Sequence, residues 1–218
     1  VLRVLQGQRD PGSENTGAAP ARSGERPLLA FLSPLPPAAS GIADASAELI
    51  PALHRHYEVE LITEDGWTES DDLNARCPVR SYTWFREHGH LYDRIVAHVG
   101  NSAYHTAIVE LLNRYGGVAV LHDTYLGDLQ YARAAQDPDL TFPDLAYRAD
   151  GYAPLLDYDP DRPHPTIRSH ALSRDVVAAA DRAVVHSDHA RRLLHDRYPA
   201  TQDTHIRVLP LARQARAL

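Results

Sequence analysis

Seven strand-length segments punctuate this chain, at 28–32, 58–63, 79–82, 94–99, 118–121, 183–186 and 206–209. Most are separated by stretches with the periodicity of helices. Strand-length segments alternating with helices of about 10–15 residues can be joined only by crossover connections, which are right-handed and generate a parallel sheet. The first run, Leu28 to Leu32, is apolar at every position, as in strands covered on both faces. The expected fold is therefore α/β, a Rossmann-like doubly wound parallel sheet.

Helices are predicted over 42–53, through Trp84, over 103–115, from about Tyr125, and over 169–180 and 188–197. In the first, Ile42, Ala45, Leu49 and Leu53 recur at helical spacing, Ser40 or Gly41 occupies the cap position, and Pro51 marks a kink or tightening. Gly116-Gly117 fits a helix C-cap. The polar segment after Thr63 reads as a long loop. The Pro- and Asp-rich residues 137–168 read as loops and short helical turns. Residues 6–27 contain almost nothing to bury and read as linker. The expected organisation is a flexible leader over 1–26, one domain over 27–211, and at 212–218 the start of a linker to a further C-terminal domain. A chain opening on Val1 without a single Met is expected to be a processed protein or a segment of a longer one.

Composition excludes whole classes of chemistry. All 22 basic residues are Arg. Without Lys the chain holds neither a P-loop NTPase site nor a pyridoxal Schiff base. Cys77 is the single cysteine, which excludes internal disulfides, thiolate zinc clusters and Cys-ligated iron–sulfur sites and suits a reducing cytoplasm. A net charge of -7 argues against a broad nucleic-acid footprint. No apolar run approaches the roughly 20 residues of a membrane helix. The 218 residues suffice for one domain with a substantial core.

In an open parallel sheet, ligands bind outside the carboxyl ends of the strands, which directs attention to the loops at 33–41, 100–102, 122–124 and 187–188. Gly41, at a helix entrance, would let an anion approach exposed amides at the positive end of the helix dipole; its structural alternative is a tight turn. The stretch Gly100-Asn101-Ser102-Ala103-Tyr104-His105 nearly matches the G-x-S-x-G nucleophile elbow, with Tyr104 replacing the final Gly. Its alternative is a helix capped by Asn101 and Ser102. His122 and Asp123 follow a strand directly, where His122 could donate to a hydroxyl or phosphate or take a proton, and Asp123 could orient it or bind a sugar hydroxyl. The alternative is a His satisfied by backbone and an Asp capping the next helix. Thirteen His without an H-E-x-x-H or a second Cys give no metal signature, and Ser187 is a better helix cap than His186 or His189 is a ligand. Asp157-Tyr158-Asp159-Pro160-Asp161 lacks the Gly and Glu of a calcium loop.

The segments PLPPAASGIADASAELIPAL (34–53), HVGNSAYHTAIVELL (98–112), GVAVLHDTYL (117–126), ADRAVVHSDHARRLL (180–194) and IRVLPLA (206–212) follow in order. Together they resemble the N-terminal, acceptor-side domain of family 4 (group 1) glycosyltransferases of the GT-B fold. The likeness spans about residues 27–211. It implies one of two Rossmann-like domains facing each other across a cleft, with a nucleotide-sugar donor held mainly by the other. By that resemblance Gly41 would lie beside the donor diphosphate, and His122 would contact the transferring sugar and the acceptor. Asn101, Tyr104, His105 and Asp123 would line the crevice, and residues 137–168 would shape the acceptor pocket. The resemblance further implies retention of configuration, no metal or other cofactor, a sugar, lipid-linked or small-molecule acceptor, and a cytoplasmic, membrane-peripheral setting without a transmembrane segment. The donor domain, with its E-x7-E motif, would follow Leu218, so this chain is expected to form half an active site and to be inactive alone. The alternatives are a non-catalytic binding or assembly module and a hydrolase built on Ser102.

Overall fold

The computed structural model describes residues 26–199 and 206–211. The leader, most of the segment before the last strand, and 212–218 lie outside the described residues.

Seven strands form a single all-parallel sheet: β1 (Leu28–Leu32), β2 (Glu58–Thr63), β3 (Val79–Ser81), β4 (Arg94–Val99), β5 (Val118–Leu121), β6 (Arg182–Val185) and β7 (Ile206–Val208). Their spatial order is β3-β2-β1-β4-β5-β6-β7. The direction of winding reverses between β1 and β4, so the topological switch point lies at their carboxyl ends. This is the doubly wound Rossmann-like arrangement that the alternation predicts.

Strand parity divides the core in two. Leu29, Phe31, Val96, Val118, Val120 and Val184 face α1 (Gly41–Leu53) and α2 (Asp71–Arg76). Leu28, Ala30, Leu32, Ala97, Val99, Ala119 and Val185 face the opposite layer. That layer includes α3 (Tyr82–His88), α4 (Thr106–Tyr115), α5 (Gly127–Gln136), α9 (Arg174–Ala179) and α10 (Asp188–Arg197). Between α5 and α9 the chain adds α6 (Phe142–Asp150), α7 (Ala153–Leu156) and α8 (His164–Ser169). These enclose a satellite core of Phe142, Ala146, Ala149, Ile167 and Leu172.

The local signals act as expected at several points. Ser40 Oγ accepts from the Ala43 amide at 3.1 Å and caps α1, and Ser187 caps α10 through Ala190; α1 continues through Pro51 to Leu53. Gly116 and Gly117 end α4 with φ of 70° and 118°. At Gly117 a Cβ would also stand 2.8 Å from the Ile95 carbonyl oxygen, so both conformation and space demand glycine.

Four expectations need correction. The polar loop after Thr63 contains α2, capped by Ser70 through Leu73. Residues 142–150, expected as loop and turns, form a nine-residue helix capped by Thr141. The predicted 103–115 helix begins instead as a 3-10 turn, Ala103–His105, before α4. The predicted 169–180 helix is only Arg174–Ala179. The chain before it is held open because Ala171 O accepts from the Leu126 amide and Leu172 O accepts from Gln130 Nε2. Leu172 takes a positive φ of 51° there. Tertiary hydrogen bonds outweigh helix propensity at this point.

Candidate functional site

Gly41, Asn101 and His122 stand at the carboxyl ends of β1, β4 and β5, and the structure brings their turns to one rim. Ile42 packs so closely on Gly100 that a Cβ at Gly100 would collide with Ile42 Cδ1. The Asn101 amide donates to Asp123 Oδ2 at 2.9 Å, tying the turn after β4 to the turn after β5. The same hypothetical Gly100 Cβ would be 3.1 Å from His105 Nε2 and 3.4 Å from Asp123 Oδ2. Small size at Gly100 therefore lets three segments meet.

Gly41 opens α1 with nothing within 4 Å of where its Cβ would be, and its φ is not in the left-handed region. Neither strain nor crowding requires glycine there, which removes the tight-turn explanation. Ser40 satisfies one first-turn amide, at Ala43; the amides of Gly41 and Ile42 belong to the set that helix geometry leaves without intrahelical partners.

Asn101 does not cap its own helix. Its Oδ1 accepts from the Leu129 amide at 3.1 Å and its Nδ2 donates to Asp128 Oδ2 at 2.9 Å, so it caps α5 from across the rim. Ser102 precedes the 3-10 turn without a side-chain cap bond. Its carbonyl accepts from the His105 amide at 3.2 Å, but no described bond joins the Ser102 hydroxyl to a histidine ring, as a nucleophile would need. Asp123 is exposed and braces Asn101. Tyr104 is 56% exposed. With Trp67 it flanks a cleft of about 150 Å³ whose walls include Ser33, Leu35, Glu64 and Asp65. His105 is 1% exposed and donates from Nδ1 to the His98 carbonyl at 2.9 Å, which places it beneath the rim as a clamp. Burial lowers its pKa, against the raising effects of that hydrogen bond and of Asp123.

His122 follows β5 directly, and its amide extends the ladder to Val99 O at 2.9 Å. Its ring is the middle member of a histidine row: the ring centres of His98 and His122 are 5.1 Å apart, and those of His122 and His186 4.8 Å. Parity produces the row. Val120 pairs with His98 and with Val184 across the ladder, so His122 and His186, two residues beyond, project from the same face. His98 Nδ1 lies 2.9 Å from His122 Nε2, and His186 Nδ1 donates to Leu209 O at 2.9 Å. Burial first, then the neighbouring histidines, drive the His98 pKa well below its usual value. The same causes, with burial again foremost, lower His122 to about 4. Both rings are neutral at physiological pH. An apolar pocket of about 280 Å³ runs from this row between Leu49 of α1 and Leu209.

Among the described residues no group of three or more His, Cys, Asp or Glu is arranged to hold a metal ion. The Cys77 thiol is buried and its pKa is raised to about 11, chiefly by burial, which keeps it protonated. Among the described residues no helix is long and apolar enough to cross a membrane.

His98 and Ser46 are not among the site residues that the sequence points to, and His186 enters there only as a metal ligand that is set aside. His98 sits inside an apolar run that reads as core strand. The signal that could have found it is parity: it is on the same strand face as Val96 and two residues before the rim glycine. Comparison with protein-family models, curated proteins and solved structures finds no match for this chain.

Proposed function

We propose that this domain forms the acceptor-side wall of a retaining glycosyltransferase active site, with a nucleotide-sugar donor held across a cleft by a second domain. The reading rests on the resemblance of five ordered segments, and the observation that carries it is the shared rim at the switch point. There Gly41, Asn101 and His122 meet at strand ends, where α/β proteins of this winding take their ligands.

Each residue has a task in this reading. The open first turn of α1 at Gly41 offers backbone amides and a positive dipole end to the donor diphosphate, stabilising charge that grows as the phosphate departs. His122 contacts the transferring sugar and the acceptor. Asp123 and Asn101 hold the rim, and Tyr104 with Trp67 borders the cleft into which an acceptor would reach. The rim contains no paired nucleophile and base, and the proposed chemistry asks for none: the leaving phosphate assists deprotonation of the acceptor, while the protein orients both substrates. No metal or further cofactor has a part in it.

The test is turnover in the parent protein carrying both domains. His122→Ala is expected to lower kcat/KM by about 100-fold or more at unchanged thermal stability, equivalent to roughly 3 kcal/mol of transition-state stabilisation. An unchanged rate removes His122 from the site. Steady transfer by the 218-residue chain alone, with any nucleotide sugar, would refute the half-site arrangement.

A further inference from the structure

A continuous buried line of polar side chains runs from the end of β1 to the rim. Ser33 Oγ donates to the Pro34 carbonyl at 2.9 Å and lies 2.8 Å from Ser46 Oγ. Ser46 Oγ lies 3.3 Å from His98 Nδ1, and His98 Nδ1 lies 2.9 Å from His122 Nε2. Ser33, Ser46 and His98 are 0%, 0% and 3% exposed, so water does not complete their bonding at will.

Each hydroxyl carries one proton and each neutral imidazole one N–H, so the polarity of one end sets the polarity of all. A carbonyl only accepts. The Ser33 proton goes to Pro34 O, and Ser33 Oγ must then accept from Ser46. Ser46, its proton committed, accepts from His98 Nδ1–H, which also points at His122 Nε2. His122 Nε2 is thereby an acceptor, and that ring's own proton falls on Nδ1. The reversed polarity strips the Pro34 carbonyl of this donor and puts a proton on His98 Nε2, a buried atom with no partner. An orphaned buried N–H is rarer and costlier than an orphaned lone pair.

We propose that Ser33, Ser46 and His98 act as positioning residues that lock His122 in its Nδ1–H tautomer, so that His122 meets a ligand only as a hydrogen-bond donor to an oxygen atom. The donor role toward a ligand rests on the reading of His122 as a rim residue; the tautomer itself does not. With Nε2 engaged by His98, only Nδ1 is left to face a ligand, and it carries a proton. His122 is then no general base. It suits a hydroxyl or phosphate oxygen, which accepts, and discriminates against an ammonium or amide N–H at the same position. The lowered pKa values of both rings agree with this, because the line requires them neutral.

The deciding measurement is a two-bond proton–nitrogen correlation spectrum of the histidine rings in the 15N-labelled 218-residue chain at pH 7.5. Resonances are assigned by their loss in His122→Asn and His98→Asn, or in His122→Asn alone if His98→Asn does not fold. The expected pattern is a pyridine-type Nε2 and a pyrrole-type Nδ1 for His122, with a pyrrole-type Nδ1 for His98. A pyrrole-type Nε2 on His122 overturns the proposal. Ser46→Ala uncouples the rings from Pro34 and leaves only the unpartnered His98 Nε2 to hold the polarity, so the His122 Nδ1 and Nε2 shifts are expected to move measurably toward each other. If they stay where they were in the unsubstituted chain, the serines do not set the tautomer. Neither readout involves sugar transfer. An Nδ1–H tautomer in a protein that never transfers sugar defeats the function reading alone; an Nε2–H tautomer in an active enzyme defeats only this inference.

Discussion

The two faces of the same strands follow different rules. On the face toward α3, α4 and α5, the ends of β4, β5 and β6 are Val99, Leu121 and Val185, all buried and apolar. On the face toward α1, one residue away in sequence, the same strand ends carry His98, His122 and His186. At these three strand ends that face relies on volume and burial; its buried polar group lies further off, at Glu60 of β2, which accepts from Tyr92 Oη at 2.7 Å and pairs with Arg80. The other face concentrates its polar groups in one line that terminates at the rim. The alternation of side chains along β4, β5 and β6 thus sends apolar residues to one side of the sheet and the three histidines to the other.

The sharpest contrast comes from truncating one side chain on each face. Leu111→Ala, fully buried in α4, should cost about 2–5 kcal/mol of unfolding free energy by urea titration. His98→Leu should change stability by less than about 1.5 kcal/mol. It removes a buried ring whose Nε2 is already without a partner, Ser46 keeps its bond to Ser33, and the ring that loses a bond, His122, is only half-buried. A loss at His98 as large as that at Leu111 would erase the distinction between the faces.

Acidification tests the same contrast through protons. Burial holds His98, His105 and His122 below their ordinary value of 6.5, His122 at about 4. The unfolded chain thus binds protons that the folded chain refuses. Stability should be full above about pH 6.5 and decline as pH falls toward 4, by about 1.4 kcal/mol per unit for each histidine still neutral in the fold. Thermal melts across that range would show it. His122→Asn should flatten the slope, whereas Leu111→Ala should lower the curve without changing it.

A smaller effect belongs to the rim. Asn101→Ala removes the cap that α5 receives from the β4 turn and should cost on the order of 1 kcal/mol by denaturant titration. Faster amide exchange should appear in the first turn of α5, at Leu129, with α4 unaffected. Equal acceleration in both helices would contradict a cap specific to α5.

Much of this was readable from residue order. The strand-length segments located all seven strands, and Ser40 and Ser187 announced their helices because a hydroxyl beside an amphipathic stretch acts locally. His122 was visible because it follows a strand end. His98 was not, since its partners Ser46 and His122 lie 52 and 24 residues away, and only the register of β4 against β5 makes them neighbours. Asn101 appeared to be a local cap for the same reason: the helix it serves lies across the rim. The 142–150 helix hid behind Pro143 and Asp144, which look like loop chemistry yet sit in the first turn of a helix, where both are favoured. The 169–180 prediction failed because periodicity cannot register the carbonyls of Ala171 and Leu172 being claimed by α5.

The bonds from Asn101 to Asp123, Asp128 and Leu129 tie two turns and a helix start together. In the proposed function, a ligand at this rim would meet turns already braced against one another. In that reading, substitutions at Trp67 or Tyr104, which line the neighbouring cleft and take no part in these bonds, should alter ligand preference while leaving the braced turns in place.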